Sequence, residues 1–204
     1  MPVKRFDFRK LSERLKTWTV ARITPLNPPY EPAVSAQLES MMPSGAPPIG
    51  LFRTFARNLP VAQAMGGWGR YELSKRLSLS MRQRELVIDR VTALCHCEYE
   101  WGVHLAFFAD RVALTTEQKR SITHGTPEDD CWPADEAVLL RAVDELHDHA
   151  DLNDDTWTSL ESVITPEQIL DLLLLAGWYH AISYAANAAR VPLEEGAPRF
   201  ADAR

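Results

Sequence analysis

Thr165-Pro166-x-Gln168 opens the segment that most restricts how this chain can fold. Thr165 can accept a hydrogen bond from the backbone three residues on, and Gln168 can reach back to close a capping box. Pro166 falls at the first helical position, where its missing N–H costs nothing. The run from Pro166 to Ala189 is apolar, and Pro192 prevents its continuation. Asp171, His180, Ser183 and Asn187 interrupt it, which favours a buried core helix over a membrane span. A helix apolar around most of its circumference needs other helices to cover it.

The rest of the chain supplies them. Leu51, Phe52, Phe55 and Leu59 recur at helical spacing up to Pro60, and Val61 to about Leu73 continues as a second helix, with Gly66, Gly67 and Gly69 suited to a close crossing. Ser80-x-x-Gln83 caps a central helix with Leu86, Val87, Val91 and Leu94 inward. A break is expected at Cys95–Cys97, then a helix from Glu98 to about Asp110. Thr115-x-x-Gln118 caps a short helix ending near Gly125. Pro133–Ala150 and Asp154–Ile164 complete the set. No alternating run makes a strand, so the fold class is all-α. Residues 1–50 carry Pro25, Pro28, Pro29, Pro32, Pro43, Pro47 and Pro48 and read as an extended arm, with a short helix at Ser35–Met42. Residues 51–204 form the helical domain.

Charge excludes some functions. The net charge is −6 and no basic stripe interrupts it, which argues against a nucleic-acid partner. Twelve acidic residues and one cation, Arg141, lie between Glu128 and Glu161, as on a solvated helix face. The first sixteen residues are basic but lack an apolar core, so they do not read as a signal peptide. Three cysteines, two of them one residue apart, are no secreted disulfide framework. A cytoplasmic protein, without a membrane partner, is the expectation.

The chemistry concentrates in Cys95-His96-Cys97-Glu98-Tyr99-Glu100-Trp101-Gly102-Val103-His104. On a helix Cys97, Glu100 and His104 share one face, and Glu85 lies on a helix that can fold back beside them. A thiol, a carboxylate and an imidazole on one stripe can relay protons, or can be a buried thiol beside an ordinary ion pair. Cys-x-Cys is tighter than the spacing of structural zinc sites, and no second Cys or His pair follows at a useful distance, so no metal is expected. A dithiol cycle is disfavoured by the strain of a Cys95–Cys97 ring.

Glu85-x11-Cys97-x-Tyr99-Glu100-x3-His104 resembles the carboxymuconolactone decarboxylase and alkylhydroperoxidase D superfamily. Its hydroperoxidase branch carries Glu-x11-Cys-x-His-Cys-x3-His. Here Tyr99 stands for the middle histidine and Glu100 for the peroxide-attacking cysteine. The Cys-x-Tyr-Glu-Trp-x-x-His form is similar to a single-cysteine branch of that superfamily, over about residues 20–200. The resemblance implies an alkylhydroperoxidase D-like helical bundle that assembles into homo-oligomers (dimer, trimer or hexamer) and works without a cofactor. It implies Glu85, Cys97, Glu100 and His104 as the catalytic set.

A second polar stripe lies on the apolar helix: His180, Tyr184 and Asn187, with Ser183 beside them. It reads either as a buried network fixing helix register or as a pocket wall facing the first stripe. With Tyr99, Trp101, Trp178 and Tyr179 it makes the expected lining for a small-molecule substrate. Three functions follow as expectations. One is a cofactor-free acid/base lyase or isomerase acting on a small lactone or carboxylic acid. The second is a thiol-dependent alkyl hydroperoxidase using Cys97. The third is a non-catalytic, oligomeric ligand-binding protein.

Overall fold

The computed structural model describes residues 20–204, and among them there are helices and no strand. They are α1 (Pro32–Ser40), α2 (Gly50–Phe55), α3 (Leu59–Glu72), α4 (Met81–Leu94) and α5 (Glu98–Phe108). Then follow α6 (Thr116–His124), α7 (Ala134–His149), α8 (Asp154–Val163), α9 (Pro166–Ala189) and a 3-10 turn, Phe200–Ala203. The all-α expectation holds, and the basic segment through Lys16 lies outside the described residues.

All three expected capping boxes form, at Ser80–Gln83, Thr115–Gln118 and Thr165–Gln168. Three prolines act differently from helix breakers. Pro32, Pro60 and Pro166 each sit in the first turn of a helix, where no intrahelical N–H is required. The helix expected to run up to Pro60 therefore ends at Phe55, and Pro60 helps to start α3, with Asn58 accepting from Val61 N. The helix in the arm begins at Pro32 for the same reason, earlier than Ser35. Of the three glycines in α3, Gly66 lies closest to a neighbour, the Gln37 side chain, while a Cβ at Gly67 would meet nothing.

α4 is the axis of the bundle, packed against α5, α6, α7 and α9. Leu86, Val87, Ile88 and Val91 are fully buried on it. α9 packs on α4, α5, α7 and α8, which gives its apolar surface protein partners. α9 is long and apolar enough to cross a membrane, but half of that stretch is buried against the bundle. The arm closes the C-terminal end of α9, where Arg22 N and Ile23 N both donate to Ala189 O at 2.9 and 3.1 Å. The segment after Ala189 turns back over α5. There Trp101 packs on Phe200 with ring centroids 5.1 Å apart, and Gly102 lets the Pro198 carbonyl approach.

Candidate active site

Because helices surround α4, most of its charged residues are buried along with Leu86. Arg84, Glu85, Asp89 and Arg90 are all at most 6% exposed. Buried charges persist only when paired. Arg90 makes a two-pronged bond to Asp144 on α7, both contacts at 2.6 Å, and also donates to carbonyls of Ile122 and Gly125. Arg84 Nε donates to Glu85 Oε1 at 2.6 Å, and its Nη1 donates to Leu73 O.

The chain then reverses. α4 ends at Cys95, His96 takes a left-handed conformation (φ 51°), and Cys97 N returns to Thr92 O at 2.8 Å. This tight hinge starts α5 antiparallel to α4 and lays His104 against Glu85. His104 Nδ1 stands 2.8 Å from Glu85 Oε2. Its Nε2 stands 3.0 Å from the Tyr179 hydroxyl on α9 and 3.6 Å from Glu100 Oε2. Phe108 stacks on the imidazole, and Arg84 and Arg111 lie over the Phe108 ring.

The electrostatics assign protons. Burial pushes the His104 pKa down, but the carboxylates of Glu85, Glu100 and Asp89 outweigh it, so the group ends above the ordinary histidine range. Burial raises Glu100, with His104 opposing and Glu194 adding to the rise, and Glu100 Oε1 has no hydrogen-bond partner. Asp89 is raised well above the carboxylate range by burial and by Glu85. Glu85 thus favours the protonated imidazole of His104, and burial favours the proton on Glu100 beside Nε2. Burial and the nearby Glu100 and Glu85 carboxyls likewise raise the Tyr179 phenol.

Cys97 is fully buried, and burial followed by the Glu100 charge pushes its thiol up to about 12. Cys95 is pushed up to about 11 by burial, and the Ser183 hydroxyl pulls both thiols the other way. Neither sulfur has a neighbouring cation to favour thiolate.

Glu85, Glu100, His104 and Tyr179 converge, with Cys97 next to Glu100. The other expected lining residues take separate places. The Tyr99 hydroxyl accepts from Leu51 N at 2.9 Å and donates to Glu194, tying α2 to the C-terminal segment. Trp101 is buried under Phe200, and Trp178 packs beside Trp68. Tyr184 is 66% exposed. Asn187 Nδ2 donates to Cys95 O at 2.9 Å, and His180 faces His147. Tyr179 and His180 are adjacent, so they point about 100° apart around the helix, and only Tyr179 reaches His104. Arg84, Asp89 and Glu72 also belong to this buried polar centre. The sequence signal for Arg84 and Asp89 is a run of charged residues inside a capped helix that otherwise reads as core.

No family model matches the chain, and no curated protein matches it. Solved structures do. A crystal structure of the debrominase Bmp8 superposes with a TM-score of 0.69 at 16% identity, covering 89% of this chain and 97% of that one. An uncharacterized peroxidase-related protein from Silicibacter sp. TM1040 gives 0.70 at 16% identity, covering 87% and 96%. An alkylhydroperoxidase AhpD core, an uncharacterized peroxidase-related protein from Ralstonia eutropha JMP134, gives 0.73 at 14% identity, covering 85% and 93%. The chain has the alkylhydroperoxidase D-like helical fold.

Proposed function

We propose that this protein is a cofactor-free acid/base enzyme, a lyase or isomerase acting on a small lactone or carboxylic acid. One observation carries the reading: the buried relay Glu85–His104–Tyr179, with Glu100 facing the same imidazole nitrogen. Glu85 fixes the ring orientation and stabilises its positive charge, as a carboxylate does behind a catalytic histidine. Nε2 is then the proton donor, Glu100 as its carboxylate the group that takes a proton, and the Tyr179 hydroxyl a hydrogen-bond partner that orients Nε2. Phe108 covers the imidazole, which is 5% exposed, so substrate entry requires that ring to move aside. Bmp8 is described as a debrominase, and a cysteine-to-alanine variant of it holds 2,3,4-tribromopyrrole, so this fold can admit a small ring. A cytoplasmic homo-oligomer with no nucleic-acid or membrane partner is part of the same proposal.

The test is a screen of small lactones and carboxylic acids with wild type and His104→Ala. Turnover by wild type that drops with the variant supports the assignment. Equal turnover by both removes His104 from the mechanism.

Thiol peroxidase chemistry at Cys97 is the second reading, supported by the Ser183 hydroxyl, which favours the thiolate. It would need a thiolate where burial disfavours one. Trapping a sulfenic acid at Cys97 after mild peroxide treatment would favour it over the lyase.

A further inference from the structure

The ten-residue segment divides at its hinge. Cys97 and His104 go to the relay described above, whereas Cys95 has different neighbours on α7 and α9. There it meets two histidines far away in sequence, His147 in the last turn of α7 and His180 in the middle of α9. One ligand atom from each, the Cys95 sulfur and a ring nitrogen of each histidine, lies within 4.8 Å of the other two. All three residues are partly exposed to solvent.

We propose that Cys95, His147 and His180 form a binding site for a divalent zinc-like cation, with water at the fourth position. Three features support it. The first is the donor set: one thiolate and two imidazoles suit zinc, while oxygen-preferring magnesium and calcium would avoid them. The second is orientation. His180 Nδ1 donates to the Ala176 carbonyl at 2.9 Å, which leaves the Nε2 lone pair facing the site. Metal-bound histidines are oriented this way, through the nitrogen that does not bind. Asn187 similarly fixes the Cys95 backbone through its carbonyl.

The third is the approach of the two rings. His147 Nδ1 and His180 Nε2 are 2.9 Å apart, a hydrogen bond in which His147 donates. In a tetrahedral zinc site two nitrogens stand about 3.3 Å apart, so the pair has to open by only a few tenths of an ångström. Zinc replaces the shared proton. His147 then carries its proton on Nε2, and the Cys95 thiol loses one proton to solvent as the sulfur–zinc bond forms.

The clip would join the hinge after α4 to α7 and α9. Its test uses purified full-length protein treated with a chelator, then titrated with Zn2+ against a chromophoric competitor and separately with Co2+. The expected result is one equivalent of Zn2+ bound and a Co2+ spectrum with a thiolate-to-cobalt charge-transfer band. Cys95→Ser should abolish that band. His147→Ala and His180→Ala should each weaken Zn2+ binding at least about tenfold. Cys97→Ser and His104→Ala should leave binding unchanged, which separates this site from the proposed enzyme centre. A wild-type Co2+ spectrum without the sulfur band overturns the proposal without recourse to any variant. So does Zn2+ affinity that survives in folded His147→Ala and His180→Ala proteins.

Discussion

Glu85 Oε2 and His104 Nδ1 stand 2.8 Å apart although nineteen residues separate them, and both side chains are at most 5% exposed. The contact exists because the hinge at Cys95–Cys97 folds α5 back on α4. Glu85 also takes the Arg84 guanidinium, so one carboxylate holds two cationic partners. Such a charge cluster needs each of its members.

Glu85→Gln is the most informative single change. It keeps the shape and removes the charge that holds the imidazolium. Proton-transfer turnover should fall by about 10²–10⁴-fold, the usual contribution of a positioned acid/base group. The loss also leaves Arg84 without its counter-charge, which should cost about 3–5 kcal/mol of stability. Denaturant melts and turnover on the same sample measure both. A variant as active as wild type would exclude the relay from catalysis.

His104 gives a pH signature of defined sign. Its folded pKa is raised, so its contribution to stability is complete below the unfolded value of about 6.5. That contribution is lost as pH rises through the folded value. Wild type should therefore lose stability towards alkaline pH more steeply than His104→Gln. Chemical denaturation at a series of pH values from 6 upward, about one unit apart, checks it. Parallel curves for the two proteins would contradict the ion pair.

Glu72 adds to the same trend. Burial, followed by the charge of Asp171, pushes its pKa up to about 7, while Trp68 pulls the other way. Its folded form favours the proton, so stability falls as pH rises from about 4.5 to about 7. The shift corresponds to about 3 kcal/mol at most. Glu72→Gln should flatten this part of the profile and should be more stable than wild type at pH 8. A variant less stable than wild type at that pH would show that the carboxylate is ionised and satisfied.

Cys97 should be inert. With its thiol pushed up to about 12 from an ordinary 9, the thiolate fraction at pH 8 drops about a thousandfold. Mass-spectrometric mapping after iodoacetamide treatment of native protein should find Cys97 unlabelled while Cys131, which is partly exposed, reacts. Rapid labelling of Cys97 in the folded protein would move the balance toward peroxidase chemistry.

Gly102 lies under the C-terminal segment. A Cβ there would come 2.5 Å from the Pro198 carbonyl, a contact the backbone must relieve. Gly102→Ala should destabilise the protein by about 1–3 kcal/mol and loosen the tail that carries Phe200. Limited proteolysis after Ala189, together with a thermal melt, tests this. An unchanged cleavage pattern and melting temperature would mean that the tail does not depend on this packing.

Much of this architecture is readable from local rules. The capping boxes at Ser80, Thr115 and Thr165 need only neighbouring residues, and all three form. The hinge at Cys95–Cys97 and the shared face of Cys97, Glu100 and His104 follow from helical period in the same way. The first turns at Pro32 and Pro60 were less legible, because proline forbids a helix interior yet favours a helix start.

Which faces meet is a different kind of information. Helical period gives the angle of a side chain about its own axis but not the neighbour at that angle. His180 and Tyr179 are adjacent in sequence, yet one joins Cys95 and His147 and the other joins His104. Arg84, Glu85, Asp89 and Arg90 on α4 are buried because other helices enclose them. The sequence by itself determined an all-helical chain with a hinge between two chemically loaded helices. Only the tertiary packing decided that Cys95 meets His147 and His180 while His104 meets Glu85 and Tyr179, because α7 and α9 approach that hinge through long-range contacts that no local pattern encodes.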